Sequence, residues 1–236
     1  MSRKRGWFLN NFAATDCITI CGMRGIGKSH LAREINALWP RSVVFDPTVD
    51  WTDGDVVTSF EAFAEKMKFL NKTNCESFRL IFRFNPDLSR ESRDATLNEA
   101  LRLCYFFKNI QVVVDEVQFF TSAHFIPEYM KNLLFMGRHQ GISVLATTQR
   151  PSQINKSILS MSSHVFCGQL HEKNDLKAIS NFINEDTQTL VTLPKRTFIY
   201  FNPETGKQRI STEKTPEKPQ NTQNTSKKLS QPRKRK

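Results

Sequence analysis

Short apolar runs and helical stripes take turns along this 236-residue chain. Runs rich in β-branched and aromatic residues stand at Cys17–Cys21, Arg41–Asp46, Phe78–Phe84, Ile110–Val114, Ile142–Thr147, Val165–Gln169 and Thr197–Phe201, each of strand length. Between them, apolar residues recur at three- and four-residue spacing. These helical stripes are Leu31, Ile35 and Leu38; Phe60, Phe63, Ala64, Met67 and Leu70 within 58–70; and Leu97, Ala100, Leu101, Cys104 and Tyr105 in a helix opened at Ser89. Two more helices are expected at Pro127–Arg138, ended by Gly141, and at Glu172–Phe182. The alternation predicts an α/β fold with a mostly parallel central sheet flanked by helices on both faces. Phe78–Phe84 alternates rather than staying apolar, and its Arg79 and Arg83, on one face, read as solvated positions. Beyond Pro203 the composition turns polar, so Thr197–Phe201 is expected to be the last strand, with disorder from about Ser211.

The first strand breaks into Gly22-Met23-Arg24-Gly25-Ile26-Gly27-Lys28-Ser29, which fits the spacing GxxxxGK[ST] of a phosphate-binding loop. Glycines let successive backbone N–H groups turn toward one anion, and the helix that follows points its positive end at the same place. Lys28 would reach the β- and γ-phosphates of ATP, and the Ser29 hydroxyl would ligate Mg²⁺. The eight loop residues and His30, opening the helix, are therefore the nucleotide-binding candidates.

A second junction carries complementary chemistry. Ile110-Gln-Val-Val-Val runs into adjacent carboxylates, Asp115 and Glu116. Beside a phosphate loop, such a pair divides the work: Asp115 would hold Mg²⁺ through its water shell, and Glu116 would polarise the attacking water. Phe119 and Phe120, which follow closely, read as core. The strand at Ile142–Thr147 runs into Thr148-Gln149-Arg150-Pro151. Because ligands of open parallel sheets sit at the carboxyl ends of strands, Gln149 should emerge level with the γ-phosphate, as an orienter of water or a phosphate sensor.

The formal charge of +11 changes the picture less than its size implies. Arg3, Lys4 and Arg5, with a surplus of six from Ser211 onward, account for nine of those charges, so the body is nearly neutral. Basic ends can attract DNA, RNA or anionic membrane surfaces, and equally can serve only to keep the chain dissolved. The expected organisation is a basic N-terminal segment at 1–14, a nucleotide-binding domain at 15–210 and a disordered basic tail at 211–236. Five cysteines without a CxxC pair indicate neither a disulfide framework nor a zinc site, and the five histidines lack ligand spacing. No stretch approaches 18 consecutive apolar residues, so no membrane span is expected.

With the glycine loop, Val-Val-Val-Asp-Glu and the block Gly137-Arg-His-Gln-Gly-Ile-Ser-Val-Leu-Ala-Thr-Thr-Gln-Arg-Pro151 in this order, the chain resembles the HerA/FtsK superfamily of DNA-pumping ATPases. It is similar in particular to the genome-packaging ATPases of viruses with internal membranes, of tectivirus and poxvirus type, over residues 15 to 203. The resemblance implies the additional-strand, RecA-like class of P-loop NTPase, acting on double-stranded DNA as a homo-oligomeric ring, a hexamer or pentamer. It also implies partners at a capsid vertex or inner membrane, and a location in the host cytoplasm or virion. Arg138 matches the position from which family members reach into a neighbouring subunit's site as an arginine finger, and Arg150 is a second candidate. Without a membrane-anchored N-terminal region or an appended DNA-reading domain, packaging is expected rather than chromosome segregation or conjugation. Three other readings stay open: a filamentous-phage extrusion ATPase, a small-molecule kinase, and a nucleotide-gated DNA-binding scaffold, although Met23 stands where the last usually has lysine.

Overall fold

A computed structural model of the chain describes residues 11–212. Most of the two basic ends, 1–14 and 211–236, falls outside the described residues. In chain order the elements are β1 (Cys17–Cys21), α1 (Lys28–Asn36), β2 (Arg41–Phe45), β3 (Asp55–Val57), α2 (Phe60–Lys72), β4 (Phe78–Phe82), α3 (Arg90–Phe107) and β5 (Gln111–Val114). There follow α4 (Glu128–Met136), β6 (Ser143–Thr148), α5 (Lys156–Ser160), β7 (His164–Cys167), α6 (Lys173–Ile183), α7 (Thr187–Thr192), β8 (Thr197–Asn202) and β9 (Gly206–Ser211).

The strands form one sheet in the order β3-β4-β2-β5-β6-β1-β7-β8-β9. All pairings from β3 through β7 are parallel; β8 and β9 run antiparallel at one edge. Parallel strands need both faces covered, and the residues alternate accordingly. Ile18, Ile20, Val44, Val113, Leu145, Phe166, Phe198 and Tyr200 face α1, packing on Leu31, Ala32 and Ile35. Residues of the other parity, among them Val43, Phe45, Val112, Val114, Val144 and Cys167, join the larger core under α2 to α7. Each fully buried phenylalanine, such as Phe45, Phe63 and Phe82, stabilises the fold by about 1.5–3 kcal/mol.

The structure departs from the sequence expectation in several places. Thr197–Phe201 is not the last strand: Asn202 Oδ1 accepts the N–H groups of Glu204 and Thr205 (2.8 and 3.1 Å), and this turn sends the chain back as β9. With Lys207, Gln208 and Arg209 exposed, β9 has no apolar face for periodicity to reveal. The three-residue β3 is equally patternless. Arg79 and Arg83 are not solvated: Arg79 pairs with Asp53, and Arg83 donates to Trp51 O (2.5 Å) and lies 3.4 Å from Asp46, so both clamp the loop after β2. The helix expected to run to Arg138 stops at Met136, and Gly137–Gln140 tightens into a 3-10 turn. Among the described residues, no helix is long and apolar enough to cross a membrane.

At the amino ends of the strands, Asp16 ties β1 to β7 and β8. Its Oδ2 lies 2.8 Å from His164 Nε2, and His164 Nδ1 lies 2.8 Å from the Tyr200 hydroxyl. Burial pushes the Asp16 carboxyl up, but the hydrogen bond from His164, the Ala13 N–H and the Ser163 hydroxyl outweigh it and hold the pKa below the ordinary value. A depressed carboxylate stabilises the fold above its unfolded pKa, and that contribution disappears as pH falls through the folded value. Asp16→Asn should therefore lower the melting temperature at neutral pH, and thermal melts across an acid series should show the deficit shrinking below the ordinary carboxylate range.

Candidate functional site

The site forms where the parallel strands end together. Cys21 stands opposite Thr148 on β6, while Val114 of β5 stands opposite Ala146. That register brings Gly22, the pair Asp115–Glu116 and Thr147 to Gln149 to one level. The β6 strand lies between β1 and β5, so the glycine loop and the carboxylates meet across it.

The loop is anchored from beneath. Gly22 N–H donates to Thr148 O (3.2 Å) and Met23 N–H to Gln169 O (2.8 Å). Ile26 is buried, its Cδ1 only 2.8 Å from where a Cβ on Gly22 would lie and 2.0 Å from one on Gly168. Only glycine at both positions leaves room for this plug. Of the nine loop candidates, Arg24, Gly25, Gly27, Lys28, Ser29 and His30 line a cavity of about 780 Å³, whereas Gly22, Met23 and Ile26 hold the loop in place. Lys28 is 5% exposed and lies 3.3 Å from Glu116 Oε1.

Glu116 is the hub of this cluster. Gln149 Nε2 donates to its Oε1 (2.7 Å) and Gln118 Nε2 to its Oε2 (2.6 Å), with Thr148 Oγ1 in turn donating to Gln118 Oε1 (2.8 Å). Its backbone takes the left-handed conformation (φ 47°), held by an N–H bond to Thr147 Oγ1 (2.9 Å). A non-glycine residue in that region is strained, and such strain concentrates at functional sites. Asp115 lies beneath the cavity, fully buried, accepting from Thr147 Oγ1 (2.6 Å) and Thr48 Oγ1 (3.3 Å).

The remaining candidates divide. Arg150 lines the cavity but is engaged by Asp175 (2.8 Å) and Glu172 (3.6 Å). Arg138 is exposed on the 3-10 turn before β6, at the opposite end of the sheet. The six residues of β6 separate it from its own chain's site by roughly 20 Å. Phe120 is core, but Phe119 is 43% exposed and lines the cavity, contrary to expectation. Sequence reading also missed Thr48, Asp50, Gln118 and Arg196, which face the loop. Thr48, Asp50, Gln118 and Arg196 all stand within four residues of the end of an expected strand, and that proximity is the signal the sequence offers.

No protein-family model matches the sequence, and no curated protein sequence is matched. Solved structures do match in fold. The genome packaging NTPase B204 from Sulfolobus turreted icosahedral virus 2, in complex with ATP-gammaS, superposes with a TM-score of 0.64 at 15% identity, over 84% of this chain and 98% of that one. VirB4 of Thermoanaerobacter pseudethanolicus gives 0.65 at 12% identity, over 84% and 89%. The fold is that of a P-loop NTPase. Its strand order, with β6 inserted between the loop strand and the carboxylate strand, is the additional-strand arrangement expected from the sequence.

Within this P-loop NTPase fold, acidic side chains crowd one side of the site. Burial raises the Asp115 pKa, opposed by the Thr147 hydroxyl and reinforced by Glu116, Asp46 and Asp50. Ser29 Oγ and Asp50 Oδ2 lie 3.5 Å apart on the cavity side. Among the described residues, no three His, Cys, Asp or Glu side chains form a metal cage. A hydroxyl and nearby carboxylates would suit Mg²⁺, which keeps waters and shares its ligands with phosphates. Ser29 would hold it directly, with Asp115 behind.

Because folding raises the Asp115 pKa, its stabilising contribution is intact below the ordinary carboxylate range and is lost as pH rises through the folded value. In chelator, Asp115→Asn should thus melt a few degrees above wild type at neutral pH, with the difference closing in acid. Equal melting temperatures at neutral pH would contradict this account.

Proposed function

We propose that this protein hydrolyses ATP with Mg²⁺ and uses the energy to move double-stranded DNA into a viral capsid, as a ring of identical subunits. The observation that carries the ATPase reading is the convergence of Lys28, Gln118 and Gln149 on the Glu116 carboxylate, at the mouth of a glycine loop. Lys28 and the loop N–H groups would bind the phosphates, and Glu116 would take a proton from the attacking water while Gln149 orients it. Mg²⁺, when bound, would neutralise charge on the β- and γ-phosphates. Gln118 acts through Glu116, fixing the carboxylate by a bond that Thr148 fixes in turn. A carboxylate at Glu116 with the Gln149 amide bonded to it suits activation of water, which favours hydrolysis over transfer to a small acceptor.

The DNA and packaging parts of the proposal draw on the likeness to B204, named as a DNA-packaging ATPase, and on the basic ends of the sequence. VirB4 is as similar in fold, so a motor serving another kind of translocation is the second reading. DNA stimulation is common to both, and association with capsid protein separates them. Ring assembly is supported by the position of Arg138, which lies too far from its own cavity to enter it. Placed in a neighbour's cavity it would stabilise charge on the transferring phosphoryl group, an effect worth about 10³–10⁵ in rate where such fingers operate.

Phosphate release from purified protein should be stimulated by double-stranded DNA, abolished by Lys28→Ala, and abolished by Glu116→Gln without loss of ATP binding. Arg138→Ala and Glu116→Gln should each be inactive alone, yet regain turnover when mixed, because one subunit supplies the carboxylate and its neighbour the arginine. Absence of recovery in mixtures that co-assemble would sink the shared site. Gln118→Leu should lower kcat about tenfold with KM nearly unchanged, as expected when an interaction that matters only in the transition state is removed.

A further inference from the structure

The cavity carries more positive charge than the glycine loop alone supplies, and the additional charges differ in how they are held. Lys28 is paired with Glu116, Arg150 with Asp175 and Glu172, and Arg33 Nη1 donates to Asp50 O (2.9 Å). Arg196 lines the cavity from outside the loop and, like Arg24 within it, has no carboxylate partner among the described residues.

The backbone that presents Arg196 is held on both sides. Thr197 N–H donates to Pro194 O (3.2 Å), closing a turn in which Arg196 takes a left-handed conformation (φ 57°). Glycine is the strain-free residue there, because a Cβ in that region crowds the backbone. The chain instead carries an arginine, and it fixes that residue directly to the glycine loop. Arg196 N–H donates to Ile26 O (2.9 Å), and Arg196 O accepts from Thr212 N–H (2.8 Å) and Thr212 Oγ1 (3.2 Å). Its Cγ lies 3.2 Å from the place a Cβ on Gly27 would occupy, so the side chain runs over the loop immediately before Lys28.

We infer that Arg196 is a phosphate-binding residue of the nucleotide site, delivered in cis from the base of the β8–β9 hairpin to the polyphosphate chain over Gly27. This rests on the ATP-binding reading above. Guanidinium groups bind phosphate oxygens through paired, charge-assisted hydrogen bonds, and a positive-φ backbone held at both its N–H and its carbonyl fixes where the fork emerges. The assignment gives the strain a purpose: removing the side chain relaxes the turn and empties the phosphate contact in one step. It also makes the antiparallel edge of the sheet part of the nucleotide site, because a triphosphate held by both Lys28 and Arg196 bridges α1 to the hairpin.

The test uses Arg196→Gly, which suits the backbone, together with Arg196→Lys and the control Lys28→Ala, in titrations of a fluorescent ATP analogue competed by ATP and by inorganic tripolyphosphate. Arg196→Gly should melt at or above the wild-type temperature, yet bind ATP and tripolyphosphate about tenfold or more weakly, as for the loss of a charge-assisted pair. Arg196→Lys should restore part of the affinity, and KM should rise more than kcat falls. ATP affinity within twofold of wild type in Arg196→Gly, while Lys28→Ala abolishes binding, would overturn the inference and leave the ATP-binding reading standing. Weakened ATP with unchanged tripolyphosphate would move the contact to the nucleoside and overturn the phosphate assignment. A wild-type protein that binds no ATP would remove both.

Discussion

Everything at the site depends on how β5, β6 and β1 are registered. Hydrogen bonding between parallel strands fixes which residues stand level, and here it sets Val114 beside Ala146 and Cys21 beside Thr148. Each strand then ends within a residue or two of the same plane, so Gly22, Glu116 and Gln149 face one another without any loop having to reach. A slip of one residue would turn each side chain to the opposite face of the sheet. The apolar runs that pack α1 on one side and the remaining helices on the other are what forbid that slip. Chemistry and core are thus set by the same pairing.

The electrostatics follow from that crowding. Asp46 and Asp115 lie behind the cavity, whereas Asp50 and Glu116 line it together with Arg24, Lys28, Arg33, Arg150 and Arg196. Two of the acids are committed to structure: Asp46 accepts the N–H groups of Asp50 and Trp51 (each 3.1 Å), and Asp115 is held by two threonine hydroxyls. Carboxylates and basic side chains around one cavity offer charges of both signs, suited to a cation and an anion together. A metal–polyphosphate complex has that polarity.

Much of this was legible in the sequence, for a definite reason. The strands around the site are buried on both faces, so they read as continuous apolar runs, and Cys17–Cys21 matches the observed strand residue for residue. Glycine spacing and the Asp115–Glu116 pair are local patterns with local chemistry. What stayed hidden is non-local or exposed. Arg79 and Arg83 look solvated until the loop carrying Asp46, Trp51 and Asp53 folds back over β4. Gln118 is an ordinary residue until Thr148, thirty positions away, turns its amide toward Glu116. Among the described residues β9 pairs with β8 alone and is mostly exposed, so nothing in its pattern marks it as strand.

That last strand bears on how copies of the chain can meet. Among the described residues the nine-stranded sheet has two edge strands, and open edges invite strand-to-strand joining. One edge here is β3, only three residues long; the other is β9, with Lys207 and Arg209 along it. Short length and lysine or arginine on the edge are both barriers to extending a sheet between molecules. Any association between copies is therefore steered away from a continuous sheet and toward the ends of strands and the surfaces of helices, where a contact can loosen and re-form without unzipping a backbone ladder.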